Sequence, residues 1–167
     1  MATITFKGNP VNTAGDLPAV GSAAPDFNLT ATDLSGKSLA DYAGKTKILS
    51  INPSLDTGVC AMSAKAFNEK VGGNDNLVVL NISADLPFAA GRFCGAEELS
   101  HIEALSVFRS AGFGTDYGIL MTDGPLEGLL GRAIVVVDGD NNVAYTELVP
   151  EITQEPDYDA ALAAAQG

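Results

Sequence analysis

Tryptophan is absent from this chain of 167 residues, and histidine occurs once, at His101. With one imidazole in the whole chain, a histidine-based metal site has no donor set to draw on. Cations are scarce as well: 9 Lys and Arg stand against 21 Asp and Glu, for a formal net charge of −12. That balance disfavours phosphate backbones and anionic lipid surfaces, so neither nucleic acid nor a membrane is an expected partner. No apolar run approaches the roughly 18 residues of a membrane span. Residues Met1 to Gly8 lack the basic start and long apolar stretch of a secretory leader. Cysteine is limited to Cys60 and Cys94, too few for a disulfide scaffold. Together these absences give the expectation of a soluble, cytoplasmic protein whose two thiols are either buried and inert or redox-active.

What is present suits one globular domain over residues 1–167: 46% of the residues are hydrophobic and 18% charged. No internal repeat, low-complexity tract or interdomain linker interrupts it. The stretches around Thr3–Phe6 and Pro10–Asn12 flank Lys7-Gly8-Asn9 as a small hairpin. A Gly/Pro/Ala-rich loop follows from Thr13 to Pro25, then a short strand at Phe27–Leu29 and one helical turn at Ser38–Tyr42. Lys47–Ile51 and Leu77–Ser83 are apolar runs separated by a helix that Gly72-Gly73 stop, which implies a right-handed βαβ unit on a parallel pair. Phe88–Leu99 reads as a weak helix containing Cys94, with Gly91 and Gly95 against it. The stretch from His101 to Arg109 is mixed, and Ala111–Gly131 is Gly-rich and irregular. Arg132–Val137, apolar on both faces, is expected to be a central strand with Val143–Leu148 as its hairpin partner, and Asp157–Ala165 a C-terminal helix. The layout is that of an α/β chain with a thioredoxin-like fold and an N-terminal β-hairpin extension.

The segment from Ile48 to Lys70 carries the chemistry. An apolar strand runs into the turn Asn52-Pro53-Ser54-Leu55-Asp56-Thr57-Gly58, and Cys60 then opens a segment with helical spacing at Ala61, Ala64, Phe67 and Val71. A helix N-terminus presents unpaired N–H groups and positive dipole, which favour thiolate over thiol. A free cysteine titrates near about 8.5, and lowering that by two units takes roughly 2.7 kcal/mol of selective anion stabilisation. The helix terminus supplies about 0.3–1 kcal/mol, or about 2 in a partly buried site. Thr57, three residues before the sulfur, and Arg132, at the start of the central strand, are the candidates for the remainder. Pro53 lacks an N–H and restricts the loop, so it can shape and dry the pocket. From the residues alone, a reactive cysteine and a buried structural one both remain open.

The spacing Pro53-x-x-x-Thr57-x-x-Cys60 resembles the active-site signature of the peroxiredoxins. Further blocks closely resemble the bacterial thiol peroxidases: Lys7-Gly8-Asn9-Pro10-Val11, Ser83-Ala84-Asp85-Leu86-Pro87-Phe88-Ala89, Arg92-Phe93-Cys94-Gly95-Ala96, Asp123-Gly124-Pro125-Leu126 and Glu155-Pro156-Asp157-Tyr158. The resemblance implies an atypical two-cysteine peroxiredoxin, an enzyme that needs no cofactor. In that reading Cys60 is the peroxidatic nucleophile and becomes a sulfenic acid. Thr57 hydrogen-bonds sulfur and peroxide, Arg132 holds the thiolate and polarises the O–O bond, and Pro53 shields the sulfur, with backbone N–H groups of Val59 and Cys60 completing the cradle. Cys94 is the resolving cysteine that closes an intramolecular disulfide. The resemblance further implies alkyl hydroperoxides and hydrogen peroxide as substrates, thioredoxin as reductant, and a homodimer.

Other signals carry less. Asp138-Gly139-Asp140-Asn141-Asn142 begins like a calcium loop, but Val143 and Val149 occupy the positions of its glycine and bidentate glutamate, so it is read as a hairpin turn. Cys60-Ala61-Met62-Ser63 mimics a monothiol Cys-x-x-Ser motif, and Arg92 and Arg109 are read as surface or interface residues. The alternatives to an enzyme are a redox sensor or thiol–disulfide transfer protein using the same disulfide, and a non-catalytic module with inert cysteines.

Overall fold

The computed structural model describes residues 1–166. Its N-terminal hairpin pairs β1 (Thr3–Phe6) antiparallel with β2 (Asn9–Asn12), turning through Lys7 and Gly8 with positive φ. A seven-stranded sheet follows, built from β3 (Leu29–Ala31), β4 (Gly36–Lys37), β5 (Thr46–Ile51), β6 (Leu77–Ser83), β7 (Ile102–Ser106), β8 (Ala133–Val137) and β9 (Val143–Leu148). The spatial order is β4-β3-β7-β6-β5-β8-β9. Four helices accompany it: α1 (Gly58–Val71), α2 (Pro87–Ala96), α3 (Gly112–Asp116) and α4 (Tyr158–Gln166), with a 3-10 turn at Leu39–Tyr42.

The β5-α1-β6 unit is the parallel βαβ expected from the two apolar runs, and β7 extends it in parallel. Strand β8 then enters antiparallel to β5 and hairpins into β9. Side chains alternate across a strand, and this sheet is covered on both faces. Leu49, Ile51, Leu80, Ile82, Val135 and Val137 join a core with Phe113, Tyr117 and Ile119. Ile48, Val79, Ile134 and Val136 point the other way, onto Phe67 and Val71 of α1 and Ala161 of α4. That double coverage explains why β8 is wholly apolar. It is nonetheless the sixth strand of seven, one place from the edge, and not the centre of the sheet; its full burial comes from α1 and α4 on one face and from α3, the 3-10 turn and the loops around them on the other.

Two segments differ from expectation. The mixed stretch at His101–Arg109 contains β7, whose polar Glu103 is tolerated because its carboxylate accepts from the Tyr42 hydroxyl at 2.8 Å. Within the irregular stretch Ala111–Gly131, α3 provides Phe113, which stacks on Tyr117 at 4.6 Å between ring centroids. The Asp138–Asn142 turn is a hairpin closure: the Asp138 carboxylate accepts from the N–H groups of Asp140 and Asn142, and Asn141 takes φ 64°.

Candidate active site

The site lies at the carboxyl end of β5, beside the start of the antiparallel β8, where the chain leaves the sheet and its loops diverge. Strand β5 ends at Ile51. Asn52 continues the pairing by donating its N–H to the Ile82 carbonyl at 3.0 Å, and its side-chain amide donates to Asn81 Oδ1 at 2.8 Å. Pro53 follows, buried, and the chain turns into α1. Thr57 is the N-cap, in extended backbone geometry at φ −90° and ψ 146°. Its hydroxyl oxygen accepts from the Cys60 N–H at 3.4 Å and its proton is donated to the Ser54 carbonyl at 3.2 Å. Cys60 is therefore the third residue of a 14-residue helix. Its side chain is 0% exposed. At the far end Gly72 caps α1 at φ 45°, a left-handed conformation that costs glycine least.

A cavity of about 330 Å3 opens over this helix terminus. Pro53, Thr57, Gly58 and Val59 form its floor on the α1 side, and Arg132 enters from the residue before β8. The walls are Phe6 and Lys7 from the hairpin, Leu126 and Leu129 from the 122–131 loop, and Ile152 and Thr153. Apart from Lys7, Thr57, Arg132 and Thr153 the lining is apolar or backbone. Arg132 is 3% exposed. Its Nε donates to the Ile152 carbonyl at 2.9 Å, which fixes the guanidinium plane, while Nη1 is buried without a hydrogen-bond partner among the described residues. A buried, unsatisfied cationic donor is costly unless something accepts from it. A bound peroxide oxygen or a thiolate has the acceptor chemistry that group lacks.

The hairpin wall is held by one carboxylate. Glu151 accepts from the Thr5 hydroxyl at 2.6 Å, from the N–H groups of Lys7 and Gly8 at 3.0 and 3.1 Å, and from the Thr153 hydroxyl at 2.9 Å. Those donors, Thr5 first, pull its pKa down from 4.5 to about 2. Cys94 sits apart from the cavity, half-buried on α2, against Leu55, Ala64, Ala90 and Leu99. Burial pushes its thiol pKa up from the ordinary cysteine value. Both cysteines are free thiols. A larger, open cleft of about 470 Å3 between Asp26, Arg109 and Asp116 holds neither cysteine.

The structure thus brings Pro53, Thr57 and Arg132 to the lining of one cavity; Cys60, next in the chain after the lining residue Val59, is fully buried and does not itself line it, and Cys94 lies outside it. Arg92 is exposed on α2 and Arg109 lies in the separate cleft. Sequence reading does not reach the pocket walls, Phe6, Leu126, Leu129 and Ile152, nor the carboxylates that brace the loops, Asp85 and Glu151. The cue for Asp85 is present in the Ser83-Ala84-Asp85 block, but only the fold shows what it touches.

Fold and site define a thioredoxin-like protein with a sequestered cysteine at a helix N-terminus, under an apolar cavity that carries a buried arginine. The redoxin family matches residues 19–162. The chain belongs to that family. It is 56% identical to the thiol peroxidase of Mycobacterium tuberculosis over 164 residues, 98% of each chain. It is 52% identical to that of Corynebacterium glutamicum, over 98% of this chain and 99% of the relative. Among solved structures, a peroxiredoxin-like protein from Aquifex aeolicus superposes with a TM-score of 0.94 at 37% identity, over 99% of this chain and 96% of the other.

Proposed function

We infer that this enzyme, a thiol-dependent peroxidase, carries out its chemistry at Cys60 and recycles through Cys94. The observation that carries the reading is Arg132, whose Nη1 is buried with no hydrogen-bond partner among the described residues, and which lines the same cavity as Thr57, Gly58 and Val59, the residues just before Cys60. Cys60 thiolate attacks the terminal oxygen of a hydroperoxide. The O–O bond breaks, the sulfur is oxidised to sulfenic acid, and the leaving alkoxide takes a proton to become an alcohol, or water when the substrate is hydrogen peroxide. Negative charge moves onto the leaving oxygen, where a guanidinium donor in a water-poor cavity stabilises it. Thr57 serves first as the helix cap; to donate to sulfur or peroxide its hydroxyl turns away from the Ser54 carbonyl. The Cys60 N–H is engaged by Thr57 at 3.4 Å, a weak bond that leaves it available to an incoming oxygen.

Cys94 then attacks the sulfenic sulfur, releasing water and leaving a Cys60–Cys94 disulfide. Two Cα atoms must come within about 7 Å for that bond. Cys60 is fully buried and Cys94 packs against Leu55 and Ala64, which flank Cys60 in the chain, so the buried sulfur reaches the half-buried thiol by opening of the first turn of α1, the α2 segment, or both. The apolar walls favour alkyl hydroperoxides alongside hydrogen peroxide. The family resemblance supports thioredoxin as the reductant, a homodimer, a cytoplasmic location and a single functional domain over 1–167, whose last residue, Gly167, lies outside the described residues. Peroxide-dependent oxidation of a reduced thioredoxin system tests the reading: Cys60→Ser abolishes turnover, and retention of turnover by that variant contradicts it.

A further inference from the structure

Asp85 lies outside the cavity, in the loop between β6 and α2, immediately before the α2 N-cap at Leu86. Its carboxylate nevertheless reaches the Cys60 loop. Oδ1 accepts from the Ser54 hydroxyl at 2.7 Å, and Oδ2 accepts from the Leu55 N–H at 2.7 Å and the Ser83 hydroxyl at 2.8 Å. Its own N–H donates to Ser83 Oγ at 3.3 Å, and its carbonyl accepts from the Ser106 hydroxyl at the end of β7. One residue therefore ties the ends of β6 and β7, the start of the Cys94 helix, and the loop that leads to Cys60.

The link continues to the sulfur's own helix turn. Ser54 Oγ accepts from the Asp56 N–H at 3.1 Å, and the Ser54 carbonyl receives the Thr57 N–H at 3.3 Å and the Thr57 hydroxyl at 3.2 Å. Thr57 in turn caps the Cys60 N–H. Fixing Ser54 fixes the cap, and fixing the cap keeps the first turn of α1 wound. Hydrogen bonds to a charged acceptor are worth roughly twice a neutral one. Three of them on one carboxylate amount to a latch on the wound state.

We propose that Asp85 is a positioning residue: its carboxylate holds the Ser54–Leu55 loop so that the Cys60 turn is wound for peroxide attack, and this hold is released before Cys94 can form the disulfide. The inference rests on Cys60 as nucleophile and Cys94 as its resolving partner. It makes the two half-steps respond in opposite senses. Loosening the latch depopulates the wound turn and slows oxidation. The same change lowers the cost of unwinding, so disulfide formation is unslowed or faster.

The test is rapid acid quench of the reduced protein after mixing with cumene hydroperoxide, with mass spectrometry separating the sulfenic acid from the disulfide. Asp85→Asn keeps the size of the side chain and one acceptor, but presents an NH2 to a Ser54 hydroxyl that already accepts from Asp56. Ser54→Ala removes the same bond from the other side, by deleting one half-buried hydroxyl, and decides the matter if the Asp85 variant does not fold. Each is expected to slow Cys60 oxidation about tenfold, with disulfide formation at or above the wild-type rate, and the double variant to be no slower than the slower single variant. Oxidation at the wild-type rate, equal slowing of both steps, or multiplicative losses in the double variant overturns the proposal. A wild-type protein that oxidises without Cys60 overturns the underlying reading, and the proposal with it.

Discussion

Arg132 illustrates how a single side chain can be described fully only by what it lacks. Its Nε is spent on the Ile152 carbonyl, its Nη1 faces no acceptor, and the residue is buried at the edge of an otherwise apolar cavity. Lysine at this position keeps the charge but cannot bridge a carbonyl and a second acceptor from one rigid plane. Arg132→Lys is therefore expected to lower the second-order rate of Cys60 oxidation by about 100-fold, the lower end of the loss of one preorganised donor because the charge is kept. Competition for peroxide against a reference thiol measures that rate; a wild-type rate in the variant would show that the guanidinium is a packing feature. The identities of Pro53, Thr57, Cys60, Arg132 and Cys94 are legible in the sequence because their types and spacing are chemically unusual together. Their partners are not. That Thr57 caps Cys60 and donates to Ser54, so that it makes no bond to the sulfur in this state, follows only from the loop geometry.

Among the elements, the N-terminal hairpin is the least integrated in sequence and the most consequential for the cavity. It lies outside the seven-stranded sheet, yet Phe6 and Lys7 form a wall of the pocket. It is attached on both strands: β1 bridges the 150–152 segment through Thr5, Glu151 gathers the turn's N–H groups, Asn12 of β2 donates to Asp123, and Ile4 and Val11 pack on Met121 and Ile152. Because the pKa of Glu151 is depressed in the folded protein, its stabilisation is fully present above its ordinary value of 4.5 and is lost as the pH falls through about 2. Amide exchange at Lys7 and Gly8 is the direct readout. It is expected to quicken as the pH falls across that window beyond the intrinsic change, and Glu151→Gln to remove the extra dependence while loosening the turn at neutral pH. No pH-linked difference between the two proteins would mean the turn is held by the other contacts of the hairpin, the β1 pairing, the packing of Ile4 and Val11 on Met121 and Ile152, and the Asn12–Asp123 bonds. The hairpin itself is readable from Lys7-Gly8-Asn9, and β5, β6 and α1 from their periodicity. Strand β7 is not, because an edge of polar residues such as Glu103 breaks the alternation until Tyr42 is seen to satisfy it.

At the scale of the whole molecule, the two cysteine helices follow strands that are neighbours in the sheet. β5 delivers Cys60 into α1, β6 delivers Cys94 into α2, and the parallel pairing of the strands places both helix starts at the same end of the sheet. Cys60 is the third residue of α1 and fully buried, whereas Cys94 lies near the end of α2 and is half-buried against Leu55 and Ala64, which flank Cys60, and Leu99. Sequence reading supplies the βαβ unit but places β8 centrally, since complete apolarity signals burial on both faces and not position in the sheet. Residue, element and sheet meet in the proposal that the buried Cys60 is oxidised and then resolved by Cys94 within the same chain. Intact mass of the reduced protein before and after one equivalent of cumene hydroperoxide, under denaturing quench with a peptide map, tests it most directly. A loss of two hydrogens with Cys60 linked to Cys94 is the result this account predicts. An oxygen retained on Cys60 with Cys94 still a free thiol, or no change in mass, would contradict it.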